Sequence, residues 1–172
     1  MGLTFQVGSA DQVLEEDYAT ELMPVLAASF PGAGAEHSSV EAWYSPELAW
    51  SGWGALQERV EAVLGAGKAP HFLSMEAWFG AYVPLAIEPT AVQVGEHETP
   101  LAVAALGALT EELERFGRAA DLPTDREGLM RLAAKYDDDE LCDDDMDVQT
   151  YAQVLLGAFV ARERGQPLWI IK

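Results

Sequence analysis

The chain has 172 residues, 49% of them apolar, enough for one domain with a contiguous core spanning 1–172. Its 29 acids against 10 bases give a net charge of −19, a field that repels phosphate backbones and anionic lipid surfaces, so the reading is no nucleic acid and no membrane among its partners. A single cysteine, Cys142, excludes an internal disulfide framework and any cysteine-based zinc cluster within the chain.

No uncharged apolar run reaches the roughly 18 residues that a spanning helix needs. Met1 to Gly8 carries no basic region followed by an apolar one, so no secretory signal is expected and a cytoplasmic location follows. Asparagine is absent and lysine occurs only at Lys68, Lys135 and Lys172. Codons for both residues are rich in A and T, so a G+C-rich bacterial genome accounts for the bias ahead of salt or heat adaptation.

Leu3 to Val7 alternates and predicts a strand. Ser9 and Gln12 have capping-box spacing, and Leu14, Tyr18, Leu22, Val25 and Leu26 form one apolar stripe, a helix that Pro24 should kink or end. The run from Pro31 to Ser39 reads as a loop. Ser38 with Glu41, then Ser45-Pro46-Glu47, have the order of helix starts and predict two short helical pieces. The phrase "SVEAWYS" at Ser39 to Ser45 returns as "SMEAWFG" at Ser74 to Gly80, but the match does not extend outward, so it is read as a shared way of starting a helix. A better helix follows, with Leu56, Val60, Val63 and Leu64 on one side and Gly65 as its left-handed terminator.

From Pro70 the pattern is ambiguous, "HFLSM" suiting a strand and "EAWFGAY" one or two helical turns. Leu85 to Val94 looks extended. Thr99-Pro100 should open an amphipathic helix with Ala102, Ala105, Leu106, Leu109, Leu113, Phe116 and Ala120 on its buried face and Glu111–Arg115 and Glu114–Arg118 pairs opposite. Thr124 and Glu127 cap a shorter helix. Val148 to Arg164 is apolar nearly all round, which predicts a central helix stopped by Gly165, and Leu168 to Ile171 a terminal strand. The fold class expected is therefore α+β: one helix-dominated domain of five to six helices with a small sheet that includes the N- and C-terminal strands.

The least ordinary segment is Asp137 to Asp147, with eight acids and no base. Asp143, Asp145 and Asp147 alternate like the first half of a calcium loop, but Val148 and Val154 stand where the glycine and the bidentate glutamate belong. The segment is read first as a solvated acidic loop, and its aspartates raise the Cys142 thiol pKa and suppress a nucleophilic thiolate. His37, His71 and His97 stand far apart with no metal-ligand spacing, and neither "GAGAEH" nor "GAGKAP" completes a phosphate-binding loop. Trp43, Trp50, Trp53 and Trp78 cluster within 40 residues and could line a ligand groove, although most such rings are core.

These residues point to a non-enzymatic acidic protein, a regulatory, inhibitor or immunity-type module whose Asp137, Asp138, Asp139, Asp143, Asp144 and Asp145 meet a basic protein partner. The alternative is a metal-binding protein or metal-dependent hydrolase that holds a divalent cation on Asp143, Asp145 and Asp147. No other cofactor is called for, and a homo-oligomer is left open.

Overall fold

The computed structural model describes residues 2–76, 79–137 and 143–172, with residues 136, 137 and 143 described by backbone alone. Among them are seven α-helices and a seven-stranded mixed sheet, an α+β fold as the periodicity required. No described helix is long and apolar enough to cross a membrane.

Strand β1 (Gly2–Val7) and strand β7 (Leu168–Ile171) pair antiparallel in the middle of the sheet, so the two ends of the chain lie side by side. Beyond β7 come β4 (Phe79–Val83), antiparallel to it, then β6 (Leu101–Ala105), parallel to β4, and β5 (Thr90–Val92) at the far edge. On the other side of β1 lie β2 (Trp43–Tyr44) and β3 (Leu48–Ala49). Tyr44 faces Gln6 and Leu48 faces Leu3, so the outer chain has one residue more than its partner, the mark of a β-bulge. Ser45 sits in that bulge, where its hydroxyl accepts the Phe5 N–H at 2.9 Å and its own N–H donates to Phe5 O at 2.8 Å.

The two-residue period of the strands sorts side chains onto two faces. Leu3, Phe5, Tyr82, Ala104, Leu168 and Ile170 point to one core, covered by the larger helical layer. That layer comprises α3 (Ser51–Leu64), α4 (Pro70–Leu73), α5 (Leu106–Ala119), α6 (Arg126–Asp137) and α7 (Met146–Arg164). Ala81, Val83, Leu101, Val103 and Trp169 point to the opposite core, covered by α1 (Ala10–Val13), α2 (Glu16–Ser29) and the segment 30–36. Helix α7 is the central helix: Tyr151, Val154, Leu155 and Ala158 are fully buried, and Gly165 closes it with φ 61° and ψ 34°. The crossing of α3 over α7 is close, because a Cβ on Gly52 would overlap Thr150 Oγ1 and Met146 O.

Several expectations need correction. Residues 38–50 form no helix; the Ser45-Pro46-Glu47 pattern serves a bulge on an edge strand, where proline and acids are equally at home. Both copies of the repeated phrase lead into strands, with Trp43–Tyr44 as β2 and Phe79 opening β4, so the shared feature is an aromatic entering a sheet. "HFL" belongs to α4 and "FGAYV" is a strand, the reverse of the reading from sequence. Residues 101–105 are β6 rather than the first turns of α5. The N-terminal helix breaks at Leu14 and restarts at Glu16, with Pro24 inside it. Val63 is exposed. The cap of α6 is Asp125, which accepts the Gly128 N–H at 2.8 Å, one residue later than expected. Arg115 turns away from Glu111 to donate to Lys68 O, while Arg118 keeps Glu114 at 4.0 Å.

Gly34 is the turn residue that lets the α2 layer meet the end of α7: its φ is +74°, and a Cβ there would strike the Gly165 carbonyl oxygen. Gly34→Ala combines left-handed strain with a backbone collision and should lower the unfolding free energy in urea by more than about 1 kcal/mol. An unchanged midpoint would refute that packing.

Candidate functional site

Among the described residues, the edge formed by β2, the bulge, β3 and the turn after it carries the most exposed aromatic side chains. Tyr44 is 52% exposed and Trp50 is 37% exposed, in contrast to Trp53, which is buried at 1%. Trp53 belongs to the core: its indole donates to Met75 O at 3.0 Å and its ring meets Phe72 edge-on at 4.9 Å. Trp43 is half-buried against the α7 side of the sheet, and Trp78 lies outside the described residues. The tryptophans that cluster in sequence therefore serve different ends, because alternation along the edge strand sends Trp43 inward and Tyr44 outward.

Trp50 has a cation on its face already: Lys172 Nζ lies 4.3 Å from the ring centroid. Such a contact at an exposed site contributes about 0.5–1 kcal/mol. Glu41 and Glu47 are exposed along the same edge. Immediately after Trp50 the chain turns into α3, and the end of the acidic run packs there: Ser51 Oγ donates to Met146 Sδ at 3.3 Å. Asp144 is exposed beside that turn, in a surface hollow shared with Ala55 and Glu58.

Of the predicted acidic residues, Asp138 and Asp139 lie outside the described residues, and Asp137 and Asp143 are described by backbone only. Asp145 is the N-cap residue of α7. Asp147, in its first turn, is bound by Arg59 Nη1 at 2.7 Å, and the same guanidinium lies over Phe116 at 5.9 Å. Among the described residues no three of His, Cys, Asp and Glu are grouped to hold a metal ion. His37 pairs with Asp11 at 2.7 Å, and His97 stacks edge-on against Tyr18 at 4.8 Å with Glu21 3.5 Å away. Burial pushes the Tyr18 phenol up to about 12, with the Glu21 charge adding to it.

A charge pattern missed by motif reading explains the acidity of this half of the protein. Residues 1–58 hold nine acids and no lysine or arginine, and residues 69–114 hold seven acids and again none. These spans build β1 to β6, the α2 layer, α4 and the first turns of α3 and α5, so the basic side chains fall mainly on the later turns of α3 and α5 and on α6 and α7.

One acid is buried instead. Glu112, 5% exposed on the inner face of α5, accepts the backbone N–H groups of His71 at 3.1 Å and Phe72 at 2.8 Å, capping α4 from a distance of 40 residues. Tyr82 donates its hydroxyl to His71 O at 3.2 Å, and His71 Nδ1 accepts the Ala105 N–H at 3.2 Å. Nδ1 therefore bears no hydrogen, and the ring proton sits on Nε2. The sequence signal was Glu112 itself, a charge set among Leu109, Leu113 and Phe116 on the apolar stripe.

The chain matches no family model, no curated protein and no solved structure.

Burial holds the Glu112 carboxyl above its ordinary value of 4.5; the Phe72 and His71 N–H bonds and the charge of Arg115 oppose this without cancelling it. A raised folded-state value means that the native protein keeps this proton longer than the unfolded chain. The stability it contributes is thus full below the unfolded value and lost as pH rises through the folded one. Glu112→Gln, which can accept only one of the two N–H groups, should cost about 1–3 kcal/mol at pH about 5, with the gap to the native protein narrowing towards pH about 8. Urea titrations across that range read both; a gap that widens with pH would contradict the assigned environment.

Proposed function

We propose that the protein is a non-enzymatic acidic binding module, of regulatory, inhibitor or immunity type, that docks a basic protein partner on the edge strand around Tyr44 and Trp50. The observation that supports this is the convergence of two acidic sources on one exposed aromatic edge: Glu41 and Glu47 along the strand, and the 144–147 end of the acidic run beside the first turn of α3. Aromatic centres ringed by polar groups are where binding energy concentrates, while the surrounding charge sets encounter rate and partner choice. Lys172 over Trp50 is an internal example of the contact that a partner's lysine or arginine would make. In this reading Asp137, Asp138, Asp139, Asp143, Asp144 and Asp145 extend the negative field rather than chelate an ion. Arg59 favours that view over the metal-dependent alternative, since it already occupies Asp147.

The test uses a hexalysine peptide and nitrogen-15 spectra of the full chain. Shifts should concentrate at Tyr44, Glu47, Trp50 and the Trp50 indole, and should fade as salt rises from about 0.1 M to about 1 M, where the Debye length falls from about 10 Å to about 3 Å. Trp50→Ala with Glu47→Lys should weaken binding at least about tenfold, or about 1.4 kcal/mol. Shifts spread evenly over all exposed acids, with none at Trp50 and no loss in the double variant, would sink the reading.

A further inference from the structure

Behind the Glu112–His71 connection lies a cavity of about 660 Å³ at the carboxyl ends of the parallel strands β4 and β6. Its walls are the segment 84–88 that follows β4, the start of α5 from Ala105 to Ala108, His71, Glu111 and Arg162. The carboxyl edge of parallel strands is where open sheets with helical cover take ligands, because loops diverge there and helix starts point their N–H groups into the gap.

The start of α5 fits that geometry. Ala105 gives its N–H to His71, no side chain caps the helix, and a Cβ on Gly107 would meet nothing within 4 Å. The amides of the first turn thus have no side-chain cap, at the positive end of a 14-residue helix.

The second observation is independent of the helix. His71 is only 8% exposed and is fixed through Nδ1, Tyr82 and Glu112, yet Nε2 has no hydrogen-bond partner among the described residues and His71 lines the cavity. With Nδ1 engaged, Nε2–H is the one donor this cavity-lining ring still offers. Arg162, exposed at the end of α7, adds a guanidinium that makes no ion pair among the described residues.

We propose that this cavity binds a small amino carboxylate, its carboxylate seated between His71 Nε2–H, the Gly107 and Ala108 amides and Arg162. Two features select a single negative charge over a phosphate dianion: Glu88 and Glu111 line the same cavity, and the whole protein carries −19. The same two glutamates supply the counter-charge for an ammonium group at the ligand's other end. Arg162 favours a planar carboxylate, which it can meet with two parallel N–H groups.

The probes are 4-aminobutyrate, butyrate, butylamine and inorganic phosphate, titrated into the full chain and followed by the Gly107 and Ala108 amide signals and the His71 ring nitrogens. 4-Aminobutyrate should shift all of these saturably, butyrate the same signals more weakly, and butylamine none of them. His71→Asn keeps an acceptor for Ala105 but has no Nε2 donor, and it should weaken 4-aminobutyrate at least tenfold, about 1.4 kcal/mol. Gly107→Asp lies on an exposed position, favours the helix start and brings its own carboxylate, so it should fold and abolish the shifts. Saturation by phosphate but not by butyrate would overturn the ligand class. Unchanged affinity in Gly107→Asp, or no response to either carboxylate, would overturn the site.

Discussion

A carboxylate with almost no access to water holds the larger helical layer in place. Glu112 reaches from α5 to the first two N–H groups of the four-residue α4, a helix far too short to persist by its own hydrogen bonds. Hydrogen bonds to a charged acceptor contribute about 1.5–3 kcal/mol each, and the raised pKa records a desolvation cost of the ionised carboxyl that outweighs them. With α4 fixed, His71 is aimed at the last N–H of β6, and Phe72 is delivered to the aromatic cluster of Trp53 and Phe5. Tyr82 ties the same backbone to β4. Strand, helix start and core aromatic are thus positioned by one buried acid.

The molecule is divided by charge as well as by layer. The α2 side and the edge strand lack lysine and arginine over long stretches, whereas α3, α5, α6 and α7 carry mixed charges with internal pairs such as Arg59–Asp147 and Arg126–Glu163, both at 2.7 Å. Exposed pairs such as Arg126–Glu163 contribute little to stability, so the segregation is better understood as shaping what the surface attracts. Both candidate sites lie largely in base-free spans, the cavity adding only Arg162 from α7. The edge around Trp50 presents the acids Glu41 and Glu47, and the cavity at β4 and β6 is lined by His71 and Arg162 together with Glu88 and Glu111.

Much of this architecture was legible from the residues. Leu3–Val7 alternates and Leu168–Ile171 is a short run of aliphatic and aromatic side chains, and both are strands; Gly165 and the apolar run before it are the terminator and body of the central helix. Misreadings came where two periods coincide. Ala102 and Ala105 are small and apolar and fit a helix face and a strand face equally, and Thr99-Pro100 imitates a helix start just ahead of β6. Ser45-Pro46-Glu47 suits a cap or a bulge, and only pairing with β1 decides between them. The His71–Glu112 contact spans 41 residues, so no local spacing reveals it; the acid on the apolar face of α5 was the one visible clue.

The fixed tautomer of His71 is the point where stability and site chemistry meet. Its ring nitrogen shifts, read by long-range proton–nitrogen correlation at neutral pH, test it directly. A bare Nδ1 and a protonated Nε2 are expected in the native protein, with that order lost in Glu112→Gln. A proton on Nδ1, or a rapidly averaging ring in the native protein, would contradict the Ala105–His71 contact from which the cavity donor follows.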